Sequence, residues 1–292
     1  MSTAMFVLNL RKTSRRVIFS CLAGALSCFV FAQAPPTTPP ARDANEPITA
    51  ANATRHFHEP DPIDFGEHEG FTALFDGKTL KDWDGDPTAW HVEDNAIVGE
   101  ISKEKPIANT YISYHGTEAH DFDLKLEIKV ERGGGGGIQY RSKVGVPWAR
   151  QSRLPLPKTA WLMTGPQADF WYPVSPHSAS YTGQVYSENT ALGIQAWRGQ
   201  MTESEPGKSQ RLVGELGNRD ELGGYIKVND WNQYEVIARG PVCIHIINGH
   251  VMAVHIDDDP KSSNNQSGLI GFELESSPIK ISMRNIYLRK FN

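Results

Sequence analysis

Cysteine is almost absent from this chain, with three in 292 residues. Two of them, Cys21 and Cys28, lie in the first 32 residues. Removal of that segment leaves Cys243 alone, which excludes an internal disulfide and leaves stability to the core. Long apolar runs are also missing, since the uncharged stretch from Val17 to Ala32 is too short for a comfortable membrane span. Basic residues are outnumbered, with 29 Lys and Arg against 34 Asp and Glu, which argues against nucleic acid as a partner. There is no Gly-x-Ser-x-Gly elbow, phosphate loop, His-Glu-x-x-His helix or Cys-x-x-Cys pair. Asp257-Asp258-Asp259-Pro260 lacks the calcium-loop pattern and reads as a turn. No amphipathic helix of ordinary length and no internal repeat appears.

What is present begins with an export plan. Arg11, Lys12, Arg15 and Arg16 precede the uncharged run, as in a signal peptide spanning 1–32, with Val30 and Ala32 placing the cut before Gln33. Ala25-Leu26-Ser27-Cys28 resembles a lipoprotein box only loosely and ranks second. Export to the periplasm or the cell exterior is the expectation, with no stable membrane span in the mature chain. Loss of four basic side chains moves the formal charge from −5 to −9. Residues 33–68 are rich in Pro, Ala and Thr and read as a tether, with His56 and His58 as solvated members.

From residue 69 to 292 the pattern is that of short strands. Trp90 to Val92, Ala96 to Val98, Thr110 to Tyr114, Trp231 to Val236, Gly268 to Leu274 and Ile279 to Lys290 are separated by turn-forming residues, which predicts an all-β antiparallel sandwich. Val242 to Ile247 and His250 to Ile256 flank Asn248-Gly249, a two-residue hairpin turn. Counting outward pairs Ile246 with Val251, Ile244 with Ala253 and His245 with Met252. Cys243, His245 and His250 have no zinc-like spacing.

Five consecutive glycines, Gly133 to Gly137, separate two alternating segments. On one side Phe122, Leu124, Leu126, Ile128 and Val130 alternate with charged residues; on the other Ile138 and Tyr140 alternate with Gln139 and Arg141. A glycine hairpin here places Gln139 and Arg141 on the same face as Glu127, as a binding wall or as a solvated surface with an exposed ion pair. A long segment follows, with Trp148, Arg150, Arg153 and Trp161. Then Gln167, Asp169 and Trp171, next Gln184, Tyr186 and Glu188, and finally Gln195, Trp197 and Arg198 mix amide, aromatic and charged side chains, which suits a polyhydroxylated ligand. Core packing is the competing role for Trp161, Trp171 and Trp197. Asp123 and Glu127 lie about 13 Å apart on one strand, too far for a glycosidase pair, which needs roughly 5 to 9.5 Å.

Taken in order, Gly70-Phe71-Thr72-Ala73-Leu74-Phe75-Asp76-Gly77-Lys78, Asp121-Phe122, Gly137-Ile138-Gln139-Tyr140-Arg141-Ser142, Gln167-Ala168-Asp169, Tyr181-Thr182-Gly183, Trp231-Asn232 and Ile286-Tyr287-Leu288 resemble the 3-keto-disaccharide hydrolase domain family over about Gly70 to Phe291. The resemblance implies a concanavalin A-like jelly roll of two antiparallel sheets. It also implies cleavage of glycosides already oxidised at sugar carbon 3, where the ketone acidifies the proton on carbon 2. It casts Arg141 as oxyanion support, Glu127 as its orienting group or the base, and Asp169 or Glu188 as the rival base. Gln139, Gln167, Gln184, Tyr186, Trp171, Trp197 and Arg198 would hold an oligosaccharide or glycoside. It fixes no cofactor with certainty, and a divalent cation could replace or assist Arg141. Two departures stand out: Pro166 where relatives carry an aromatic, and Glu273-Leu274-Glu275 where relatives often show Gln-Leu-His. A sugar-binding domain without activity and an ordinary glycosidase are the alternatives.

Overall fold

Residues 64–147, 154, 156–175, 179–208 and 210–291 are described by a computed structural model. The expected signal peptide, most of the expected tether with His56 and His58, and Trp148, Arg150, Arg153 and His177 lie outside the described residues.

In chain order the strands are β1 (Thr72–Ala73), β2 (Trp83–Gly85), β3 (Trp90–Glu93), β4 (Ala96–Ile101), β5 (Thr110–Ala119), β6 (Phe122–Glu131), β7 (Gly135–Val144), β8 (Met163–Trp171), β9 (Val185–Glu188), β10 (Gly193–Ala196), β11 (Gln200–Ser204), β12 (Arg211–Glu215), β13 (Asn232–Arg239), β14 (Val242–Ile247), β15 (His250–Asp257), β16 (Gly268–Leu274) and β17 (Ile279–Lys290), with one helical turn, α1 (Arg219–Gly223). The larger sheet has the order β12-β11-β15-β14-β13-β6-β17-β4-β3, with β1 beside β17; the smaller has β10-β9-β8-β7-β16-β5-β2. Neighbours are antiparallel except β11 and β15. This is the all-β jelly-roll sandwich of two antiparallel sheets.

Alternation puts one side of each strand inside. Phe122, Leu124, Leu126, Ile128 and Val130 on β6 and Ile138 and Tyr140 on β7 are each 3 % exposed or less. Phe122 and Tyr140 meet edge to face at 6.0 Å. The two strands meet across the core, however, and are not paired with each other. β6 pairs with β13 and β17 in the larger sheet, while β7 pairs with β8 and β16 in the smaller. The glycine run is therefore a crossover between sheets, which corrects the hairpin expectation. Arg132, Gly133 and Gly134 turn the chain with φ of 70°, 91° and 70°, a left-handed run that glycine tolerates.

The Asn248-Gly249 turn forms and pairs Ile246 with Val251, but the register then slips, placing His245 opposite Ala253 and Cys243 opposite His255. The bulge brings both Met252 and Ala253 into the interior, each fully buried, where strict alternation would send one outward. Among the described residues no helix is long and apolar enough to cross a membrane. Packing extends upstream of Gly70, since Phe65 and Phe71 flank the Lys125 ammonium at 5.7 and 5.0 Å and His68 stacks on Tyr287 at 3.7 Å.

A polar column crosses the interior. His245 Nδ1 donates to the Gln184 carbonyl at 3.0 Å, so its Nε2 accepts from the Tyr140 hydroxyl at 2.9 Å. Burial holds the His245 pKa down to about 3, against 6.5 ordinarily. Between those values the unfolded chain binds the extra proton. The stabilisation is complete above the unfolded pKa and is lost as pH falls, at up to about 1.4 kcal/mol per pH unit. His245→Phe leaves the hydroxyl and the carbonyl without this partner and should cost about 1–3 kcal/mol near pH 7.5. Urea melts repeated towards about pH 4.5 should show the gap to wild type closing.

Candidate active site

Because Ile138, Ala168, Phe170, Val185 and Phe272 point inward, their neighbours on the smaller sheet point outward. Those neighbours are Gln139 on β7, Gln167 and Asp169 on β8, Gln184 just before β9, and Glu273 on β16, with Tyr111 outward on β5. All six are 4 % exposed or less, and Glu188 at the end of β9 is 5 % exposed. Residues on an outer sheet face are ordinarily solvated, so this burial marks an enclosed polar layer. Strand register aligns Tyr186, Gln167, Gln139, Gly271, Ser113 and Asp84 in one row across the sheet.

The glycines of β7 open this layer. A Cβ on Gly137 would lie 2.5 Å from Gln167 Cγ, and one on Gly135 would lie 2.1 Å from the Trp171 indole. Without side chains there, Gln167 leans across β7 and donates its amide to Glu273 on β16, and Trp171 lies over Gly135.

Carboxylates and their partners span the face. The Tyr111 hydroxyl is 3.1 Å from Glu188 Oε1 and 3.0 Å from Glu273 Oε1. β16, β7 and β8 separate Tyr111 from Glu188, so the sheet is cupped enough for side chains to meet across three strands. Asn109 Nδ2 donates to Glu273 Oε1 and Glu275 Oε2, both at 2.9 Å. The Gln184 amide donates to Asp169 Oδ2. Three buried atoms on this face, Gln139 Nε2, Asp169 Oδ1 and Gln184 Oε1, have no hydrogen-bond partner among the described residues. Leaving such groups dry costs about 1–3 kcal/mol each, so their convergence on neighbouring strands is the kind of exception that a ligand explains.

Crowding of like charge shifts the titrations. Burial first, then the carboxylates of Glu273 and Glu275, hold Glu188 well above the ordinary range. Asp169 is raised by burial and again by those two glutamates, against the opposing pull of the Gln184 amide. Buried Tyr111, beside Glu273, Glu188 and Glu275, is raised too. Carboxyls raised in this way keep their protons to higher pH than exposed ones do, and such a cluster can both give and take them. Among the described residues no three of His, Cys, Asp and Glu are grouped to hold a metal ion.

Of the residues expected at the site, Gln139, Gln167, Asp169, Gln184 and Glu188 come together here. Tyr186 shares their row and is half-buried, and Trp171 lies at the rim. Glu127 does not join them. It lies on the outer face of the larger sheet, where Arg284 Nε donates at 2.7 Å and Asn285 Nδ2 at 2.6 Å. Arg141 is turned away by a bulge at which its own φ is 49°. Its guanidinium is 2 % exposed and donates to the carbonyls of His120 at 2.7 Å and Gly240 at 2.9 Å, so the expected pairing with Glu127 is corrected on both sides. Trp197 stands further out, stacked on Tyr181 at 5.9 Å and under the Arg219 guanidinium at 4.4 Å. Arg198 spends most of its donors on backbone carbonyls.

Glu273, Glu275, Tyr111 and Asn109 were not among the expected site residues. The alternation of Gly271 and Glu273 along β16, continued by Glu275 just past its end, carried the signal, since acidic residues on a strand flanked by apolar ones share a face with whatever the neighbouring strands present.

Several solved structures are similar to this chain at low identity. A putative glycosyl hydrolase from Parabacteroides distasonis is 17% identical, with 77% of this chain and 95% of that chain covered and a TM-score of 0.45. A protein of unknown function with a galectin-like fold from Bacillus subtilis is 14% identical, with 72% and 90% covered and a TM-score of 0.46. A carbohydrate-binding module, CBM66, from Bacillus subtilis is 12% identical, with 72% and 96% covered and a TM-score of 0.42. No curated protein matches the sequence. Residues 70–289 match the 3-keto-alpha-glucoside-1,2-lyase-like domain, and the chain belongs to that carbohydrate-related family.

Proposed function

We propose that the chain is an exported enzyme that cleaves 3-keto-glycosides on the cupped face of the smaller sheet, by removal of the carbon 2 proton and elimination at carbon 1. The observation that carries this reading is the trio of unpartnered buried atoms, Gln139 Nε2, Asp169 Oδ1 and Gln184 Oε1, beside carboxyls held above their ordinary range. A raised carboxyl is a stronger base once ionised and a usable acid while protonated.

In this reading Asp169 Oδ1 takes the carbon 2 proton while the Gln184 amide holds Oδ2. The C–H electron pair becomes the enolate, whose oxygen at carbon 3 accepts from Gln139 Nε2. Register places Gln139 diagonally from Asp169, with Gly137 opposite Asp169 and Gln139 opposite Gln167, a separation of about 7–8 Å between Cα atoms that one sugar ring can bridge. Collapse of the enolate breaks the bond from carbon 1 to the leaving oxygen, which takes a proton from Glu188. Tyr111, whose hydroxyl lies between Glu188 and Glu273, can relay a proton from the Glu273 carboxyl to Glu188. Water adding across the new double bond would complete a net hydrolysis. The neutral amide of Gln139 takes the role that sequence reasoning gave to Arg141.

With a 3-keto-disaccharide as substrate, Asp169→Asn should lower turnover by about 10²–10⁴-fold and Gln139→Ala by about 10²–10³-fold, mainly in kcat. Glu127→Gln, on the other sheet, should change it by less than about twofold. Turnover of the unoxidised disaccharide, or full activity in Asp169→Asn, would overturn the assignment; sugar binding without turnover favours a lectin. The base must be ionised and the acid protonated. kcat/KM should therefore rise with pH through the Asp169 titration, above the ordinary carboxylate range, and fall again as Glu188 loses its proton. Mass spectrometry of protein recovered after export should give Gln33 as the N-terminus; retention of residues 1–32 would refute the export part of the reading.

A further inference from the structure

Beside the carboxyl face, at the end of β8, is a smaller cavity of about 200 Å³ whose walls include Trp171, Thr182, Arg198, Asp220, Ile226 and Val228. Its floor is a buried cation. Arg198 is 3 % exposed. Its Nε donates to the Arg219 carbonyl at 2.7 Å, and its Nη1 donates to the carbonyls of Ala179 at 2.8 Å and Thr182 at 2.7 Å. A guanidinium has five N–H groups. Three are engaged, and the two on Nη2 have no protein partner among the described residues.

Nη2 lies against Gly223, another wall of the cavity, where a Cβ would sit 2.7 Å away; the glycine keeps that nitrogen uncovered. Asp220 supplies an acceptor at the rim. It is held on α1 by the Asn218 cap, whose Oδ1 accepts from the backbone N–H of Asp220 at 2.8 Å and of Glu221 at 3.2 Å. Trp171 belongs to both places. It follows Asp169 by two positions on the same strand face, about 6.6 Å along β8, and also forms one side of the cavity.

The chemistry of the walls defines an occupant. An apolar aromatic surface suits the C–H face of a sugar ring. Two N–H groups and a carboxylate lining one cavity suit neighbouring hydroxyls, each of which both donates and accepts. Asp220 disfavours a carboxylated sugar. The volume corresponds to roughly six or seven waters, which is room for one ring. We infer that this cavity is the subsite for a neutral, unoxidised pyranose next to the reacting ring, on the side of Asp169 away from Glu188. That placement rests on the assignment of Asp169 to the reacting ring. One hydroxyl accepts from Arg198 Nη2, and its neighbour donates to Asp220.

Methyl α-glucopyranoside has no ketone and tests the subsite without turnover. Calorimetric titration of the full-length chain should show binding that Val228→Trp, which fills the cavity, and Asp220→Ala each weaken by about tenfold or more. Glu188→Gln should leave that binding unchanged. The inference is overturned if wild type does not bind at up to about 50 mM, if both cavity variants bind as wild type does, or if the corresponding methyl glucuronoside binds more tightly. Loss of binding in Glu188→Gln alone would place the ring on the carboxyl face and also refute it. The reaction itself stands or falls separately on Asp169→Asn turnover.

Discussion

Two apolar strand faces meet in the middle of this sandwich, that of β6 from the larger sheet and that of β7 from the smaller, with Phe122 and Tyr140 at their centre. Everything polar on those strands is thereby directed to opposite outsides. Glu127 on one outer face and Gln139 on the other are separated by the thickness of two packed sheets, about 10 Å of core plus the side chains themselves. The site is consequently built from the smaller sheet alone, with its acidic groups drawn from β8, β9 and β16.

Enclosure makes those groups useful. An exposed carboxylate cluster would be screened and ionised, whereas here burial and mutual repulsion act together on Asp169 and Glu188. The surrounding amides and phenol restrain the cluster: Gln167 and Asn109 donate to Glu273, and Gln184 donates to Asp169. The glycines of β7 contribute by omission, because any side chain at Gly137 would lift Gln167 away from its carboxylate.

Much of this was legible in the sequence. Turn-forming residues on either side located β16 and β17 with their observed ends, and the mixture of amide, aromatic and acidic residues in β8 and β9 identified the face. Alternation reports which residues of a strand share a side, but it does not say which sheet the strand joins. That is why Glu127 seemed to neighbour Gln139. The bulge at Arg141 and the slip after Ile246 escaped for a related reason, since one extra residue changes the side without changing composition. Tyr111 was legible only as a strand residue, because its reach to Glu188 depends on the curvature of the whole sheet.

The pairing of β1 with β17 has a practical consequence. Thr72 lies opposite Leu288 and Ala73 opposite Tyr287, and Phe65 and Phe71 rest on Lys125. The described chain thus begins on the outer side of the larger sheet, away from the carboxyl face. A bead, a dye or a solid support attached at Asp64 itself would meet the protein from behind. Immobilised or labelled in that way, the protein keeps its carboxyl face turned toward solution.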